Sequence, residues 1–172
     1  CIDNGMPVVL LKASDFGLNG TESPAELEKN DELKVKLERI RLEAGKRMNL
    51  GDVARKTVPK MSLVSAAVNG GTINTRTFIP HRVHDAIGVL GSVSVATACV
   101  LHGTVVSDFV KNNTQDGTIS LEVEHPTGAF VVEMEVSGSS DIATFKVARS
   151  ALLRTARLLM RGDIFVVDQA LA

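Results

Sequence analysis

The chain has 172 residues, of which 44% are hydrophobic, and 19 basic and 20 acidic side chains give it a formal net charge of -1. This length corresponds to one domain of ordinary size. The chain has no polybasic block, no Trp and no Tyr, so we expect no nucleic-acid partner. The longest uncharged run, residues 86–101, is shorter than a membrane span of about 20 residues, so we expect a buried helix and no membrane partner.

The two cysteines, Cys1 and Cys99, form neither a disulfide framework nor a metal-ligand spacing. No signal peptide is visible, and both observations favour a reducing, cytoplasmic location. The chain begins at Cys1, without an initiator Met and close to a predicted strand, which favours a piece of a longer protein.

Apolar runs and helical patterns alternate along the chain. Residues 7–13 predict a strand, and Ser23, Pro24 and Glu26 form a capping-box pattern at the start of a helix. An amphipathic surface helix is predicted at residues 30–50 and an apolar helix at 85–102. Further strands are predicted at 59–68, 72–80 (half-buried), 118–125, 129–136, 143–149 and 163–168. This pattern predicts an α+β domain in which a curled antiparallel sheet surrounds the apolar helix.

The start of the apolar helix is the first candidate site. The first-turn N–H groups of a helix have no intrahelical partners, and its dipole makes this end electropositive. Gly88 and Gly91 would let a ligand approach the backbone, and Ser92 and Ser94 add hydroxyl groups. The upstream side chains would suit a carboxylate or phosphate; they are His81, Arg82 and His84. The structural alternative is that Asp85 caps the helix and the glycines serve packing.

Other polar residues also have two interpretations. Asp3, Asn4 and Gly5 form a turn sequence whose side chains could instead face a ligand. Arg76 and Lys60 each lie in an apolar strand. In the structural interpretation they face solvent or form an ion pair with an acidic side chain; in the functional one they bind a carboxylate of a ligand. Arg154 and Arg157, spaced by three, either bind one anion together or form a solvated face. Glu122 and Glu124 point to one side of a predicted strand, and nothing indicates a general acid/base pair there.

Several catalytic and metal-binding motifs are absent. The sequence contains no GxSxG, P-loop, HExxH or CxxC motif. Cys99 falls late in the apolar helix, where a thiol is expected to be inert. From these residues we expect no metal site.

Five stretches together resemble the C-terminal half of the methylaconitate isomerase family, in order and through essentially the whole chain. They are CIDNGMPVVLLKASDFG, VPKMSLVSAA, GGTINTRTFIPHRVHDAIGVLGSVSVATA, EHPTGAF and LLRTARLLMRG. The family includes 2-methylaconitate cis-trans isomerase, methylitaconate isomerase and 4-oxalomesaconate tautomerase. The stretch FIPHRVHDAIGVLGSVSVATA is most similar to the tautomerases of gallate and protocatechuate breakdown.

The resemblance implies the diaminopimelate epimerase-like fold, in which two similar halves each wrap a β-barrel-like sheet around a central helix. The active site lies between the halves, so residues 1–172 would be the C-terminal domain of a two-domain isomerase, with the N-terminal catalytic half as its partner. The implied reaction is a cofactor-independent proton transfer that moves a double bond in an unsaturated tricarboxylate such as 4-oxalomesaconate. The alternative substrates are 2-methylaconitate and methylitaconate.

The resemblance places the acid and base, a Lys and a Cys or Ser, in the other half. Gly88 aligns with a catalytic cysteine of diaminopimelate epimerase and has no proton to give. We therefore expect no catalytic base in this chain, proton assistance at most from His84 and His81, and no activity of this half alone. The expected substrate-binding wall comprises Asn4, Gly5, Met6, Asn74, Arg76, His81, His84, Gly88, Gly91 and Ser92. An alternative is a non-catalytic half that binds polycarboxylates or forms a homodimer.

Overall fold

The computed structural model describes residues 1–110, 116–138 and 141–165. Within these residues, seven strands form one sheet in chain order. The strands are β1 Ile2–Asp3, β2 Pro7–Lys12, β3 Lys60–Ser65, β4 Ile73–Phe78, β5 Gly117–His125, β6 Gly128–Ser137 and β7 Lys146–Leu153. The described α-helices are α1 Pro24–Glu28, α2 Asp31–Arg47 and α3 Val89–Val100.

The sheet is mixed, which corrects the expectation of an antiparallel one. Strands β2 and β3 pair in parallel, as do β4 and β5, while the other neighbouring pairs are antiparallel. Parallel neighbours require a long crossover connection. Here α1 and α2 lie in the connection between β2 and β3, and α3 lies in the connection between β4 and β5.

The sheet curls around α3, as predicted. This helix contacts β1 and β2 at one end of the sheet and β5, β6 and β7 at the other. The side-chain amide of Asn4, just after β1, donates a hydrogen bond to Ser150 Oγ on β7 at 3.4 Å. Residues Gly91 to Val100 of α3 are all buried, which explains why the helix carries no charged residue.

The two faces of the sheet support separate hydrophobic cores. On the inner face, β2 and β3 contribute Val8, Leu10 and Val64 to a cluster around α3. On the outer face, Met61 and Leu63 belong to a second cluster with residues of α1 and α2. Adjacent residues of one strand therefore face different cores, which follows from the alternation of side chains along a strand.

Strand β4 is covered on both faces, although the sequence predicted a half-buried strand. All six of its residues are buried. Ile73 belongs to the core around α3, and Phe78 to the core under α1 and α2. The polar side chains of β4 are covered by other parts of the chain rather than by water.

Two buried charged side chains fix connections of the sheet. Arg41 on α2 is 0% exposed and donates to the carbonyl oxygens of Val53, Lys56 and Val58 at 3.0, 3.1 and 2.8 Å. Its guanidinium also donates to both carboxylate oxygens of Glu38, at 2.7 and 2.8 Å. Arg41 therefore holds the loop that leads into β3.

Glu124 on β5 plays the corresponding part for the connection between β3 and β4. It is 1% exposed, and its carboxylate accepts N–H bonds from Val68, Asn69 and Gly71, each at 2.8 Å. Burial opposes its ionisation, but these three bonds and the charge of Arg76 hold the pKa of Glu124 below its ordinary value.

Helix boundaries agree with the sequence in two cases. Ser23 and Glu26 form the predicted capping box at the start of α1, with Pro24 in its first turn. The amphipathic helix α2 runs from Asp31 to Arg47, within the predicted range of 30–50. The apolar helix, however, begins at Val89 rather than Asp85, and Gly88 is its N-cap.

The later start of α3 has a local cause. The Ala86 N–H donates to His84 Nδ1 at 2.9 Å, and Thr127 Oγ1 donates to the Asp85 carbonyl at 2.8 Å. Gly88 then has an extended backbone with φ -66° and ψ 144°. These bonds hold residues 84–88 outside the helix.

The end of the chain differs from the prediction. Strand β7 covers residues 146–153 instead of 143–149. The strand predicted at 163–168 is wrong for residues 163–165, which are in no strand, and its remainder lies outside the described residues. The large apolar side chains beyond β7 are 80–94% exposed; they are Leu158, Leu159, Met160, Ile164 and Phe165.

Among the described helices, none has both the length and the apolar character needed to cross a bilayer.

Candidate functional site at the start of helix α3

A turn after β4 brings His84 back beside its own strand. Ile79 N–H donates to the Arg82 carbonyl at 2.8 Å, and Phe78 forms an isolated antiparallel bridge with Val83. The His84 N–H then donates to the Thr77 carbonyl at 2.8 Å. The turn thus fixes the His84 backbone next to the end of β4, close to the start of α3.

The first turn of α3 has no side-chain cap. Gly88 carries no side chain that could accept from the first-turn N–H groups, and the structure records no cap hydrogen bond there. Val89 and Leu90 are each 48% exposed, while the rest of the helix is buried. The electropositive end of the helix is therefore at the surface, whereas its body is in the core.

A cavity of about 300 Å³ opens at this end of the helix. Most of its wall is apolar, and the polar side chains that face it are Lys60, Thr77 and His84. The complete lining is Met6, Lys60, Thr77, Ile79, His84, Gly88, Val89, Leu90 and Gly91. We call this the α3 cavity. Its combination of hydrocarbon surface with a cation and an imidazole suits a small organic acid.

The hydrogen bond from Ala86 fixes the tautomer of His84. Because Nδ1 accepts the Ala86 N–H at 2.9 Å, the proton of the neutral imidazole lies on Nε2. His84 is half-buried and lines the α3 cavity. Neutral His84 can therefore donate a hydrogen bond to a ligand oxygen through Nε2.

The structure brings together part of the predicted binding wall. Met6, His84, Gly88 and Gly91 all line the α3 cavity. Gly5 lies beside it, because a Cβ built on Gly5 would be 3.5 Å from Leu90 Cδ2.

Two predicted residues bond within the fold instead. The Asn4 amide donates to Thr97 Oγ1 at 3.0 Å and to Ser150, so its side chain runs along α3 toward its later turns. Ser92 is 0% exposed, and its hydroxyl donates to the Val89 carbonyl at 2.7 Å. Ser94, also considered from the sequence, donates to the Met6 carbonyl at 2.6 Å and so fastens the turn after β1 to α3.

Three more predicted residues do not line the α3 cavity. Asn74 and Arg76 lie on β4; Asn74 donates to the Gly20 carbonyl at 2.7 Å, and Arg76 to the Glu22 carbonyl at 2.6 Å. They face the connection that precedes α1, on the outer face of the sheet. His81 is exposed, and its Nδ1 lies 3.8 Å from Glu38 Oε2 on α2.

Two polar residues of the cavity were missed as site residues by the sequence analysis. Lys60 was left with two interpretations, and Thr77 was not considered. Strand alternation supplies a signal for both: Thr77 follows Arg76 and must face the opposite side of β4. Ser62 Oγ and Thr77 Oγ1 lie 2.8 Å apart on the inner face, and Lys60 shares that face two residues before Ser62.

A second cavity, of about 350 Å³, lies near the turn between β5 and β6. His125, Thr127 and Arg154 are among its lining residues. His125 is largely buried, and burial, with the charges of His84 and Arg76, lowers its pKa. The bond from Thr127 to the Asp85 carbonyl joins this turn to the segment that precedes α3.

Within the part of the chain that the structure describes, no metal site is indicated, and the Cys99 thiol in the core is not reactive. Residues 1–110, 116–138 and 141–165 contain no group of three or more His, Cys, Asp or Glu side chains placed to hold a metal ion. Burial raises the pKa of the Cys99 thiol to about 12, so it is not a nucleophile at neutral pH.

Comparison with known proteins identifies similar sequences over almost the whole chain. The family described as PrpF protein matches residues 1–167. The chain is 51% identical over 166 residues to a 4-oxalomesaconate tautomerase of Pseudomonas putida. It is 48% identical over 165 residues to a (4E)-oxalomesaconate Delta-isomerase of Novosphingobium sp.. Each match covers 96% of this chain but only 44% of the relative, so the chain spans less than half of their length.

The fold also has a counterpart among solved structures. The crystal structure of a methylitaconate-delta-isomerase matches with a TM-score of 0.66 at 17% sequence identity. The match covers 85% of this chain and 43% of that one. At this identity the likeness establishes the fold, in agreement with the sheet that curls around α3.

Proposed function

Because the chain belongs to the PrpF protein family, we propose that it is the substrate-binding half of a cofactor-independent isomerase that moves a proton and a double bond in an unsaturated tricarboxylate. The preferred substrate is 4-oxalomesaconate. The identities of 51% and 48% to an oxalomesaconate tautomerase and an oxalomesaconate Delta-isomerase support this choice. The alternative substrates, 2-methylaconitate and methylitaconate, are favoured less by identities of 24% and 23% to isomerases of those names.

The α3 cavity is the observation that carries the proposal. In the reaction, a base removes a proton from the carbon next to the unsaturated system, and the electron pair moves into the conjugated carboxylate or carbonyl. A proton then returns to a different carbon, so the double bond moves without net oxidation or reduction. Such a reaction needs donors at the oxygen on which negative charge develops. The uncapped first turn of α3 and the Nε2–H of His84 are donors of this kind.

The apolar part of the cavity has a complementary role. Met6, Ile79 and Leu90 would contact the carbon skeleton of the substrate. They would also exclude water from the donors, which strengthens each electrostatic interaction with the developing charge.

We propose that the proton-transferring groups come from a second half of the protein. Of the residues lining the α3 cavity, His84 and Lys60 are the titratable ones, and Gly88 offers no proton at the helix start. The exposure of Val89 and Leu90 and the 44% coverage of the relatives agree with a second half that closes over this end of α3. The 172-residue chain alone is then expected to be inactive, because base and substrate must be held together.

A chimera tests the proposal. This chain would replace the matching 166-residue segment of the Pseudomonas putida tautomerase, and isomerisation of 4-oxalomesaconate would be followed by its absorbance. We expect an active chimera, and a fall in kcat of about a hundredfold for His84→Ala, as for loss of an oxyanion donor. His102→Ala is the matched control, since His102 is exposed beyond the opposite end of α3.

The outcomes separate the parts of the proposal. A folded chimera that isomerises 2-methylaconitate but not 4-oxalomesaconate would assign the alternative substrate. An active chimera with unchanged turnover after His84→Ala would remove His84 from the site. Isomerisation by the 172-residue chain alone would contradict the need for a second half and would favour His84 as the acid or base.

A further inference from the structure

Lys60 has a position that neither the fold nor the family assignment explains. It is the first residue of β3, opposite Val8 in the register, and it lies on the inner face of the sheet. Its side chain lines the α3 cavity together with His84 and the first turn of α3. The cavity therefore has a primary amine in its wall in addition to the donors discussed above.

The ammonium group of Lys60 has no partner among residues 1–110, 116–138 and 141–165. The structure records neither a hydrogen bond nor an ion pair for it there, although the side chain is partly buried. Burial, and then the like charge of Arg41, lower its pKa. A partly buried cation gains from an anionic partner, because burial removes part of its hydration.

Two other partly buried lysines each form an ion pair with an acidic side chain. Lys12 pairs with Asp108, and Lys34 pairs with Asp31 at 2.8 Å; their side chains are 30% and 28% exposed. Each therefore has a carboxylate from the same chain. Lys60 lines a cavity large enough for a small molecule, and no acidic side chain contributes to the lining of that cavity.

The backbone that carries Lys60 is held firmly. The loop before β3 is bound by the buried guanidinium of Arg41 through the carbonyls of Val53, Lys56 and Val58. From Lys60 onward, β3 is paired with β2 in parallel register. The backbone at Lys60 is therefore already ordered, so binding of an anion needs to order only the Lys60 side chain.

We propose that Lys60 forms an ion pair with one carboxylate of the ligand that occupies the α3 cavity. The ligand would lie across the apolar wall, with that carboxylate at Lys60 and another oxygen at His84 and the first turn of α3. This assignment rests on the proposed function for the identity of the ligand, but not for the position of the cation. It makes Lys60 a residue that selects a polycarboxylate over a monocarboxylate.

Calorimetric titration of the 172-residue chain with tricarballylate tests the inference. This saturated tricarboxylate cannot isomerise, so the readout is binding alone. We expect Lys60→Met to weaken binding by about tenfold or more, as for truncation of one partner of a partly buried charge pair. Lys29→Met removes the same charge from an exposed position outside the cavity and is expected to stay within about twofold of the parent chain.

A second measurement removes the dependence on the folding of the variant. Amine-selective labelling of the parent chain, read out by peptide mass spectrometry, should be slowed at Lys60 by tricarballylate and unchanged at Lys29. Inorganic phosphate at the same concentration should protect Lys60 less than tricarballylate does.

Each result decides the inference. No binding of tricarballylate at millimolar concentration, equal affinity in the two variants, or equal protection of Lys60 by phosphate would overturn it. The chimera experiment would be unaffected by these results, since it measures turnover and His84. Conversely, Lys60-dependent binding with an inactive chimera would uphold the inference while refuting the proposed reaction.

Discussion

Replacement of Glu124 by Gln should destabilise the fold through the connection between β3 and β4. The amide oxygen of Gln can still accept from Asn69 and Gly71, but its NH₂ group would face the Val68 N–H, which now donates to the second carboxylate oxygen. The variant thus loses one hydrogen bond to a charged group, a loss of about 1.5–3 kcal/mol. Val68 is 53% exposed, so water can reach the freed N–H and hold the total near 2 kcal/mol.

Chemical denaturation as a function of pH measures this contribution. A loss of about 2 kcal/mol at neutral pH corresponds to a fall in Tm of about 4–8 °C for a chain of this size. Because the folded pKa of Glu124 is lowered, its charge stabilises the fold above the ordinary pKa of 4.5. This stabilisation is lost as the pH falls below that value and through the depressed folded pKa. The gap between parent chain and variant should therefore narrow in acid.

Glu122→Gln is the matched control, since it removes the same charge two residues earlier on β5. Glu122 is exposed, and its side chain makes no hydrogen bond or ion pair within the described residues. We expect it to change the free energy of unfolding by less than about 0.5 kcal/mol. A difference between Glu124→Gln and the parent chain that is constant from neutral pH into acid would refute the reasoning, as would equal effects of the two substitutions.

Three other predictions concern the stability of the fold and the accessibility of its thiols. Arg41→Met should lower the free energy of unfolding by about 3–5 kcal/mol in urea denaturation, because three loop carbonyls lose their donor; a loss under about 1 kcal/mol would contradict this role. Gly20→Ala should cost about 2 kcal/mol by thermal melting, because φ is +84° and a Cβ would lie 2.3 Å from Ser65 Oγ; an unchanged Tm would contradict it. Iodoacetamide should label Cys1 but not the buried Cys99 until the chain is unfolded, and mass spectrometry would detect a second native adduct if this is wrong.

Local patterns predicted most of the elements of this fold. The Ser23–Glu26 capping box, the amphipathic α2 and the uncharged, largely apolar sequence of α3 each depend on a few neighbouring residues, and all three are in the structure. The direction of strand pairing could not be predicted from local patterns. Helical crossover connections make β2 parallel to β3 and β4 parallel to β5, although the sequence of each strand is typical of an antiparallel sheet.

The candidate site was only partly predictable, for physical reasons that differ between residues. Met6 and His84 lie next to turns with clear sequence signals, and both line the cavity. The contacts of Asn4 are 93 and 146 residues away in the sequence, so no local pattern indicates that its amide is used within the fold. Arg76 resembles a carboxylate-binding arginine, but the face of β4 it occupies is decided by the register of the whole sheet.

The hold of Arg41 on the loop before β3 has a consequence for engineering. A mutant library restricted to residues that line the cavity would vary Lys60 but not Arg41. Yet Arg41, on the other side of the sheet, holds the loop that positions the Lys60 backbone. Attempts to change what the α3 cavity binds should therefore vary Arg41, its loop and Lys60 together. Random substitutions along the exposed face of α2 should be tolerated, whereas position 41 should emerge as intolerant in any selection for ligand recognition.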